Sequence, residues 1–355
     1  MKPLRILAIN FGSTSSKAAY FENDACLVRQ TLDHPAEELA AFPRFWDQED
    51  YRFNALCAFL AQNRIDPAGL DAVVAWGGHT QPVEGGVYRI TQKLLEQSAS
   101  EQYGCHPGDL APRIAHRLAA GRIPALVVDP PTIDEFSPLA RYTGLPQITR
   151  KSRMQTLNQK ATAKRFARDV NKPYDQLNLI VVHMGGGISV AAHRHGKMVD
   201  ANNGLDGDGP FASNRSGTLP VGDLIDLCYN GAYTHAEMRR LATGRGGLVA
   251  HLGENDVRAV EERIRRGDGH AQEVYDAMLY QVAKEIGAMA AVLEGQVDGI
   301  LITGGIAHSA YAVEAIASRV RFIAPVRAYP GELEMDSLGQ GAYRALLGEE
   351  PIKEL

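Results

Sequence analysis

The sequence predicts an α/β protein of two pseudo-symmetric lobes, each a mixed β-sheet flanked by helices. The prediction rests first on two glycine-rich hairpins of similar design, at residues 6–21 and 179–192. In each, an apolar run ends in one polar residue, turns through small residues and continues as a second apolar run. A third apolar run, 299–302, also ends in glycines, and 355 residues are enough for two cores.

In the first lobe, residues 4–10 and 16–22 are predicted to form consecutive strands of a hairpin. A dinucleotide-binding fold would instead place a helix after the first glycine turn. Helical stretches near 35–63 and 91–121 flank short predicted strands at 72–75 and 125–128. The second of these strands ends at Asp129, which is therefore expected at an edge of the sheet.

The second lobe opens with a basic stretch, residues 150–172, whose apolar side chains recur at roughly helical spacing. This spacing favours a helix with a solvated charged face. The remaining elements are predicted in chain order: a hairpin at 178–193 continuing through 196–200, a polar loop at 202–224, helices over 223–296, a strand at 299–303, a helix at 308–318, a strand at 320–324 and a final helix at 336–348.

The sequence has no Pro-, Gly- or Ser-rich linker, so the two lobes are expected to meet at a tight hinge near residue 150. The predicted N-terminal lobe covers residues 1–150 and the C-terminal lobe covers 151–335. The C-terminal helix, about 336–355, is expected to return to the first lobe.

Composition narrows the class of protein. A net charge of −5 argues against nucleic acid as the main partner. The four cysteines are far apart and form no C-x-x-C pair, which indicates free thiols in a reduced cytoplasmic protein. No apolar run approaches the roughly 20 residues that span a bilayer, and the N-terminus enters a strand without a signal peptide.

Glycine turns that interrupt a strand expose backbone N–H groups, and no side chain blocks the approach of a phosphate. The turns containing Gly12 and Gly185, Gly186 and Gly187 both have this character. Two such loops suggest a nucleotide held between two duplicated lobes.

The motifs, in this order and at these intervals, resemble the acetate and butyrate kinase family, most closely its butyrate kinases. The signature stretches are Asn10-x-Gly12-Ser13-x-Ser15-x-Lys17, Val128-Asp129-Pro130, Lys151-Ser152, His183 with the three glycines after Met184, and Arg215-Ser216-Gly217. The resemblance implies a ribonuclease H-like, actin-like ATPase fold. It also implies reversible, ATP-dependent phosphorylation of a short-chain carboxylate such as butyrate, with ATP/ADP and Mg²⁺ as cofactors and a homodimer or larger homo-oligomer as the assembly.

The resemblance also implies roles for individual residues. Transfer of the phosphoryl group is expected to involve four cationic or hydrogen-bonding side chains: Lys17, His106, His183 and Arg215. Nucleotide and phosphate contacts are expected at Asn10, Gly12, Ser13, Ser15, Gly185, Gly186, Gly187, Gly304, Gly305 and Ile306. The metal is expected at Asp129 with one of Glu332 and Glu334, and the sequence leaves that choice open.

Asp206 lies in a polar loop that begins like a calcium loop but lacks its remaining acidic positions, where Pro210 and Gly217 stand. We interpret this stretch as contacting nucleotide or covering the acyl site. Loops this long usually carry function.

The residue types suit the chemistry. A carboxylate acceptor is already ionised at neutral pH, so no catalytic base is needed. Two unit negative charges 4 Å apart repel by about 4 kcal/mol at an effective dielectric of about 20, so cations must be supplied. Lys17, Arg215 and His183 are of the right type, and the neutral Asn10 stands where sugar kinases and chaperone ATPases of this fold carry Asp.

Two departures from the family pattern lie on the acceptor side. Trp76 precedes Gly77 and Gly78 where butyrate kinases usually have arginine, and Asp109 adds an acid near a site for anions. They leave open a kinase for a branched acid and a catalytically degenerate nucleotide-binding regulator. A sugar kinase would need a catalytic Asp that no motif supplies, and an actin- or chaperone-like ATPase would carry Asp in place of Asn10.

Overall fold

The computed structural model describes residues 2–355. The strands are β1 (Arg5–Phe11), β2 (Ser15–Glu22), β3 (Ala25–Asp33), β4 (Ala72–Ala75), β5 (Val87–Arg89), β6 (Ala125–Val128), β7 (Asn178–Met184), β8 (Ile188–Arg194), β9 (Lys197–Ala201), β10 (Gly299–Gly304), β11 (Val326–Pro330) and β12 (Ile352–Lys353). The α-helices are α1 (Ala36–Leu39), α2 (Glu49–Gln62), α3 (Gln92–Ala99), α4 (Leu110–Ala119), α5 (Thr156–Asp169), α6 (Val221–Tyr229), α7 (His235–Ala242), α8 (Gly247–Leu252), α9 (Val257–Arg265), α10 (Gly269–Val292), α11 (Ala310–Val320) and α12 (Glu334–Leu346).

The chain forms two compact units. The first unit contains the residues up to Asp134 together with Leu333–Leu355, and the second unit contains Glu135–Glu332. Residues 135–150 belong to the second unit, on the far side of the border expected at residue 150. The reason is local: Glu135 forms a buried ion pair with Lys160 at 2.9 Å, and the N–H of Ser137 donates to Val199 O at 2.9 Å.

The first unit is built on a seven-stranded mixed sheet in the order β12-β5-β6-β4-β1-β2-β3. Strands β1, β4 and β6 are parallel, so their carboxyl ends lie at one edge of the sheet. One face packs on α2 and α4, where Leu7 and Ile9 join the core. The other face packs on α12, whose glycines 339 and 341 lie directly against Phe21 and Val128.

The second unit is built on a five-stranded mixed sheet in the order β11-β10-β7-β8-β9. Helix α10 packs with α11 and β8 on one face, and it begins where Asp268 Oδ1 accepts from the N–H of Ala271 at 3.0 Å. Phe166 of α5 packs on the other face against Leu179. In both units a central strand pairs antiparallel with the next strand and parallel with a later one, which confirms the prediction of two pseudo-symmetric mixed-sheet units.

The predicted strand at 320–324 is wrong. Helix α11 extends to Val320, and the strand of this region is β11, with Val326 opposite Ile300 in parallel register. Ile316 and Val320 are both buried and lie four residues apart, so Val320 belongs to the buried face of α11, and residues 321–324 form the turn that follows the helix.

The basic segment before the second hairpin forms the predicted helix, and Arg165 and Arg168 of α5 are exposed on its charged face, but Lys160 departs from the prediction. Most of α5 is buried, and Lys160 is buried with it. Its ammonium group donates to Glu135 Oε1 at 2.9 Å and to Gly196 O at 3.0 Å, so it is a buried anchor.

None of the helices within residues 2–355 combines the length and the apolar character needed to cross a membrane. The four cysteines are free thiols.

Candidate active site

The first hairpin forms a tight loop in the first unit. The N–H of Gly12 donates to Ser15 O at 2.8 Å, and Ser13 and Thr14 at the tip are exposed. Within residues 2–355, the N–H groups of Ser13 and Thr14 donate to no acceptor. Adjacent unsatisfied N–H groups on one side of a small loop can bind an anion.

Asn10 and Lys17 are paired across this hairpin, and both reach the first turn of α12. Asn10 Nδ2 donates to Glu334 Oε2 at 2.7 Å, and Lys17 Nζ lies 3.8 Å from the same oxygen. The structure therefore brings together three of the predicted site residues, although 324 residues separate Asn10 from Glu334.

Asp129 follows β6 at the same edge of the sheet as Asn10 and is fully buried. Its backbone has a φ of 44°, and its Oδ1 accepts from the N–H of Gly86 at 2.8 Å. Within residues 2–355, no three or more His, Cys, Asp or Glu side chains are grouped so that they could hold a metal ion.

The second hairpin, in the second unit, is closed by a hydrogen bond from the N–H of Gly185 to Gly187 O at 3.0 Å. A Cβ at residue 187 would lie 2.4 Å from Gly204 O, so only glycine fits this approach of two backbones. Gly186 is exposed, and a Cβ there would meet nothing closer than 3.6 Å. The loop thus has a packed side and an open side.

His183 ends the strand that enters this loop and is buried. Asn158 Nδ2 lies 2.8 Å from His183 Nδ1, and an amide nitrogen can only donate, so Nδ1 accepts and the proton is on Nε2. Burial lowers the pKa of His183, while the nearby Glu332 carboxylate opposes that shift. At neutral pH His183 is therefore a neutral hydrogen-bond donor whose Nε2 lies beside Gly185.

The glycines after β10 adjoin the same strand. Thr303 is opposite His183 in the parallel register, and Thr303 Oγ1 accepts from Asn158 Nδ2 at 3.3 Å. Gly304 has a φ of 90°, and a Cβ there would lie 2.4 Å from Met184 O. Gly305 has open space where a Cβ would be, whereas Ile306 is buried. The second unit therefore brings His183 and the glycines of both turns together.

Arg215 and Asp206 lie in the long loop after β9. Arg215 Nε donates to Leu205 O at 3.2 Å and Nη1 donates to Asn214 Oδ1, while Nη2 makes no hydrogen bond to residues 2–355. Asp206 lies between two guanidinium groups, 3.2 Å from Arg239 Nη2 and 3.8 Å from Arg153 Nε. Asp206 thus has its charge balanced by arginines from outside the loop, whereas the guanidinium of Arg215 keeps one free edge.

Nearly the whole chain is similar to known proteins, and most of the second unit also matches a family profile. A profile of the acetokinase family matches residues 150–324. A probable butyrate kinase of Clostridium botulinum strain Alaska E43 is 46% identical over 350 residues, which cover 98% of this chain and 99% of that protein. The chain belongs to the acetate and butyrate kinase family. Butyrate kinase 2 of Clostridium acetobutylicum, another family member, is 44% identical over 351 residues, which cover 99% of each chain.

A solved member of the family has the same fold. The acetate kinase of Porphyromonas gingivalis superposes with a TM-score of 0.79 at 18% identity, covering 97% of this chain and 100% of that one. The likeness confirms the α/β, actin-like ATPase fold expected from the resemblance to acetate and butyrate kinases.

The two departures from the family motif lie together in the first unit. A Cβ on Gly108 would lie 2.9 Å from the Trp76 ring, and Trp76 meets the His106 ring edge-on at 5.6 Å. Asp109 is fully buried and accepts from the N–H groups of Gly78, His79 and His106, and from His79 Nδ1 at 2.9 Å. The added carboxylate is therefore held by donors on all sides and forms an ion pair with His79 when that ring is protonated.

His106 adjoins this cluster as a hydrogen-bond donor. Its Nδ1 accepts from the N–H of Gly108 at 2.9 Å, so Nε2 carries the proton when the ring is neutral. Burial lowers the pKa of His106, opposed by the Asp109 charge.

The two candidate metal ligands belong to different units. Glu334 lies in the first unit with Asn10 and Lys17, whereas Glu332 lies in the second unit and interacts electrostatically with His183.

Reasoning from the sequence did not single out two residues that contact the candidate site. Asn158, whose Nδ2 lies 2.8 Å from His183 Nδ1, lies in the first turn of α5 next to the polar Gln159, where no local pattern indicated that contact. Arg52 lies under the first hairpin but occurs in the first turn of α2, and an arginine on a helix usually points to solvent.

Proposed function

We propose that this chain transfers the γ-phosphoryl group of ATP to a short-chain carboxylate, with butyrate as the reference acceptor, giving butanoyl phosphate and ADP. The observation that carries the proposal is identity of 44–46% to butyrate kinases over nearly the whole chain. A first glycine hairpin with N–H groups that have no acceptor among residues 2–355, and a second with a histidine Nε2–H beside it, support the proposal.

The reaction requires positioning and charge stabilisation more than proton transfer. A carboxylate oxygen attacks the γ-phosphorus in line, the bond from that phosphorus to the bridging oxygen breaks, and ADP leaves with the electron pair. The acceptor is already ionised, so the chain needs no general base.

The proposal assigns the stabilisation of the transferring group to three kinds of donor. Backbone N–H groups of Ser13 and Thr14 would bind phosphate oxygens without any change in protonation. His183 would donate a neutral Nε2–H, and Arg215 would offer its free Nη2 edge to the oxygens as their charge spreads. Lys17 would add a cation beside Asn10.

Mg²⁺ fits the first unit. The buried Asp129 carboxylate at the sheet edge, with Glu334 beside Asn10, supplies the hard oxygen donors that this ion prefers. When bound, Mg²⁺ would neutralise charge on the phosphates. The proposal assigns Asp129 and Glu334 to the metal, and Glu332 to the electrostatic environment of His183.

Trp76 would contribute to the choice of acceptor acid. Trp76 follows β4, which lies between β1 and β6 in the sheet. Its position is therefore between Asn10, near the end of β1, and Asp129, just after β6. Its indole Nε1 is buried without a hydrogen-bond partner among residues 2–355. A bulky apolar ring at this position, in place of the usual arginine, would set the length or branching of the acyl chain. The relatives named butyrate kinase do not favour the degenerate regulator.

The family resemblance also supports a homodimer or larger homo-oligomer in the cytoplasm, with the helices of the second unit as the interface. No residue of α6 is buried by the rest of the described chain. Val221, Ile225 and Tyr229 form an exposed apolar row along this helix. Val221→Glu with Ile225→Glu should shift the molar mass measured by light scattering to that of a single chain, and an unchanged mass would place the interface elsewhere.

The deciding experiment measures acyl phosphate, trapped with hydroxylamine, from Mg-ATP and a panel of acids from acetate to valerate, including branched acids. Turnover is expected to peak at four carbons, and a peak elsewhere would change the acceptor. Trp76→Arg should raise turnover with butyrate if the tryptophan has weakened this activity. No turnover with any acid, from protein that still binds ATP, would contradict the proposal.

Arg215→Ala supplies the test of mechanism. Loss of one transition-state donor typically lowers kcat by about 10²–10³-fold. The dissociation constant for ATP should change little, because the first hairpin and the glycines of the second unit are unaltered. Arg258→Ala, which removes an exposed arginine of α9 in the same unit, is the matched control.

A further inference from the structure

Arg52 is a fully buried cation without a carboxylate partner. It lies in α2 of the first unit and is 0% exposed, the largest side chain so deeply buried in the described chain. No Asp or Glu of residues 2–355 lies within ion-pair distance of it. Burying a charge in this way is costly, and proteins usually compensate it with an opposite charge.

All the contacts of the Arg52 guanidinium are to neutral groups, and most belong to the first hairpin. Nη2 donates to Ser13 O at 2.9 Å, and Nη1 donates to Ser15 O at 3.0 Å and to Ser16 Oγ at 3.3 Å. Nε donates to Gln48 Oε1 at 3.0 Å, and the guanidinium lies 5.5 Å from the Phe11 ring. The positive charge is thus solvated by the loop but not neutralised.

The charge is present at neutral pH. Burial lowers the pKa of Arg52 to about 10, which still leaves the guanidinium protonated at pH 7. A fixed cation therefore lies directly under the turn that presents free N–H groups.

The contacts also determine which way the loop faces. In a trans peptide the C=O and the N–H point in opposite directions. Arg52 holds Ser13 O inward, so the N–H of Thr14 in the same peptide points away from the guanidinium. His34 supports the same loop, because its N–H donates to Thr14 O at 2.8 Å and its Nε2 is 2.8 Å from Ser16 Oγ.

We propose that Arg52 is a positioning residue of the first phosphate loop, and that the anion bound on the outer side of this loop supplies its missing counter-charge. The guanidinium orients the Thr14 N–H outward and adds a long-range attraction for phosphate. The identity of that anion as a nucleotide phosphate rests on the proposed function, whereas the orientation of the loop rests on the hydrogen bonds alone.

The test compares Arg52→Lys and Arg52→Met with Arg117→Met, which removes a cation from the surface of the same unit. Dissociation constants for AMP, ADP and ATP are measured by calorimetry on the full-length protein, with unfolding temperatures alongside. Loss of charge-assisted contacts should weaken ATP binding by about 100-fold in Arg52→Met and about 10-fold in Arg52→Lys. Arg117→Met should bind like the original chain.

The dependence on ligand charge separates this role from a structural one. If the uncompensated charge attracts phosphate, the loss of affinity should grow from AMP to ADP to ATP. Equal losses for the three ligands, or unchanged ATP affinity in a folded Arg52→Met protein, would overturn the proposal. If Arg52→Met does not fold, the same series in Arg52→Lys and in Ser16→Ala decides, since each removes part of the contact set.

The outcome is distinguishable from failure of the proposed function. If the original chain binds ATP but phosphorylates no acid, the kinase proposal fails and the Arg52 proposal is still judged on binding. If the original chain binds neither ATP nor ADP, both proposals fail.

Discussion

The two glycine hairpins share a sequence pattern but are held in place by different interactions. The Arg52 side chain of α2 and the backbone N–H of His34, just after β3, support the first by donating hydrogen bonds to its carbonyl groups. Backbone packing supports the second, in which Gly187 touches Gly204 so closely that no side chain fits. The first loop presents backbone N–H groups that have no acceptor among residues 2–355, whereas the second has a side chain, His183, beside its glycines.

The comparison shows that two loops with the same sequence motif need not have the same role. Where distant side chains stabilise a loop, substitutions within the loop are tolerated, but substitutions of those distant side chains are not. Where backbone contact supports a loop, the glycines themselves are required. Mutations can separate the two modes.

The largest expected difference concerns catalysis. His183→Ala removes the Nε2–H donor and should lower kcat by about 10²–10³-fold. Ser13→Ala leaves the loop N–H groups in place and should lower kcat less than about 10-fold. Steady-state kinetics on both variants, with circular dichroism as a check of folding, make the comparison. Equal losses would mean that both hairpins bind through side chains.

The next effect concerns stability. Gly187→Ala forces a Cβ to within 2.4 Å of Gly204 O, and overpacking of this kind costs about 1–3 kcal/mol. Gly12→Ala meets Ser15 Oγ at 3.4 Å, an ordinary contact, and should lower the free energy of unfolding by less than about 1 kcal/mol. Urea unfolding measures both, and the reverse order would refute the contrast in packing.

A smaller effect on the stability of the fold is expected when the pH is lowered. His193 is fully buried, donates Nε2–H to Gln159 and accepts from Tyr174, and burial, followed by the Lys160 charge, lowers its pKa to about 3. The unfolded chain binds this proton near pH 6.5 and the folded chain does not, so stability is complete above pH 6.5 and falls below it.

The loss should be about 1.4 kcal/mol for each pH unit below 6.5, per histidine of this kind. His183, whose pKa burial also lowers, should add to the slope. Thermal unfolding of the original chain and of His193→Gln between pH 5 and 8 measures the contribution. A His193→Gln protein with an undiminished slope would exclude His193 as a source.

The smallest effect is expected at the partly exposed side chain of the first hairpin. Lys17 lies 3.8 Å from Glu334 with 38% of its side chain exposed, and such pairs are worth at most about 1 kcal/mol. Lys17→Met should therefore leave the unfolding midpoint in urea nearly unchanged while it weakens phosphate binding. A large loss of stability would show that Lys17 supports the hairpin as Arg52 does.

The sequence was most informative where an element is short and wholly buried. The strands predicted at 72–75 and 125–128 coincide with β4 and β6, because four apolar residues bounded by polar or breaking residues have few alternatives. Strand β3 was not predicted, since it is an edge strand and most of its residues are exposed, four of them polar: Arg29, Gln30, Thr31 and Asp33.

The contacts that hold the two glycine loops and His183 in place could not be predicted from the sequence in the same way. Arg52 meets Ser13 across 39 residues and Asn158 meets His183 across 25, and no local pattern links such pairs. Lys160 was expected to be solvated because lysine usually is, and only the fold places Glu135 beside it. Residue types indicated the chemistry, whereas the packing of distant segments decides which residues serve it.

The division of the first unit between the two ends of the chain bears on synthesis at the ribosome. Helix α12 covers β1 and β6, and Ile352 of β12 pairs with Val87 of β5. This sheet can therefore be completed only after residues 333–355 have been synthesised. The second unit is continuous and has all its strands once residue 330 has emerged. The unit that begins first is therefore completed last, and until then the apolar face that receives α12 is exposed to chaperones and proteases.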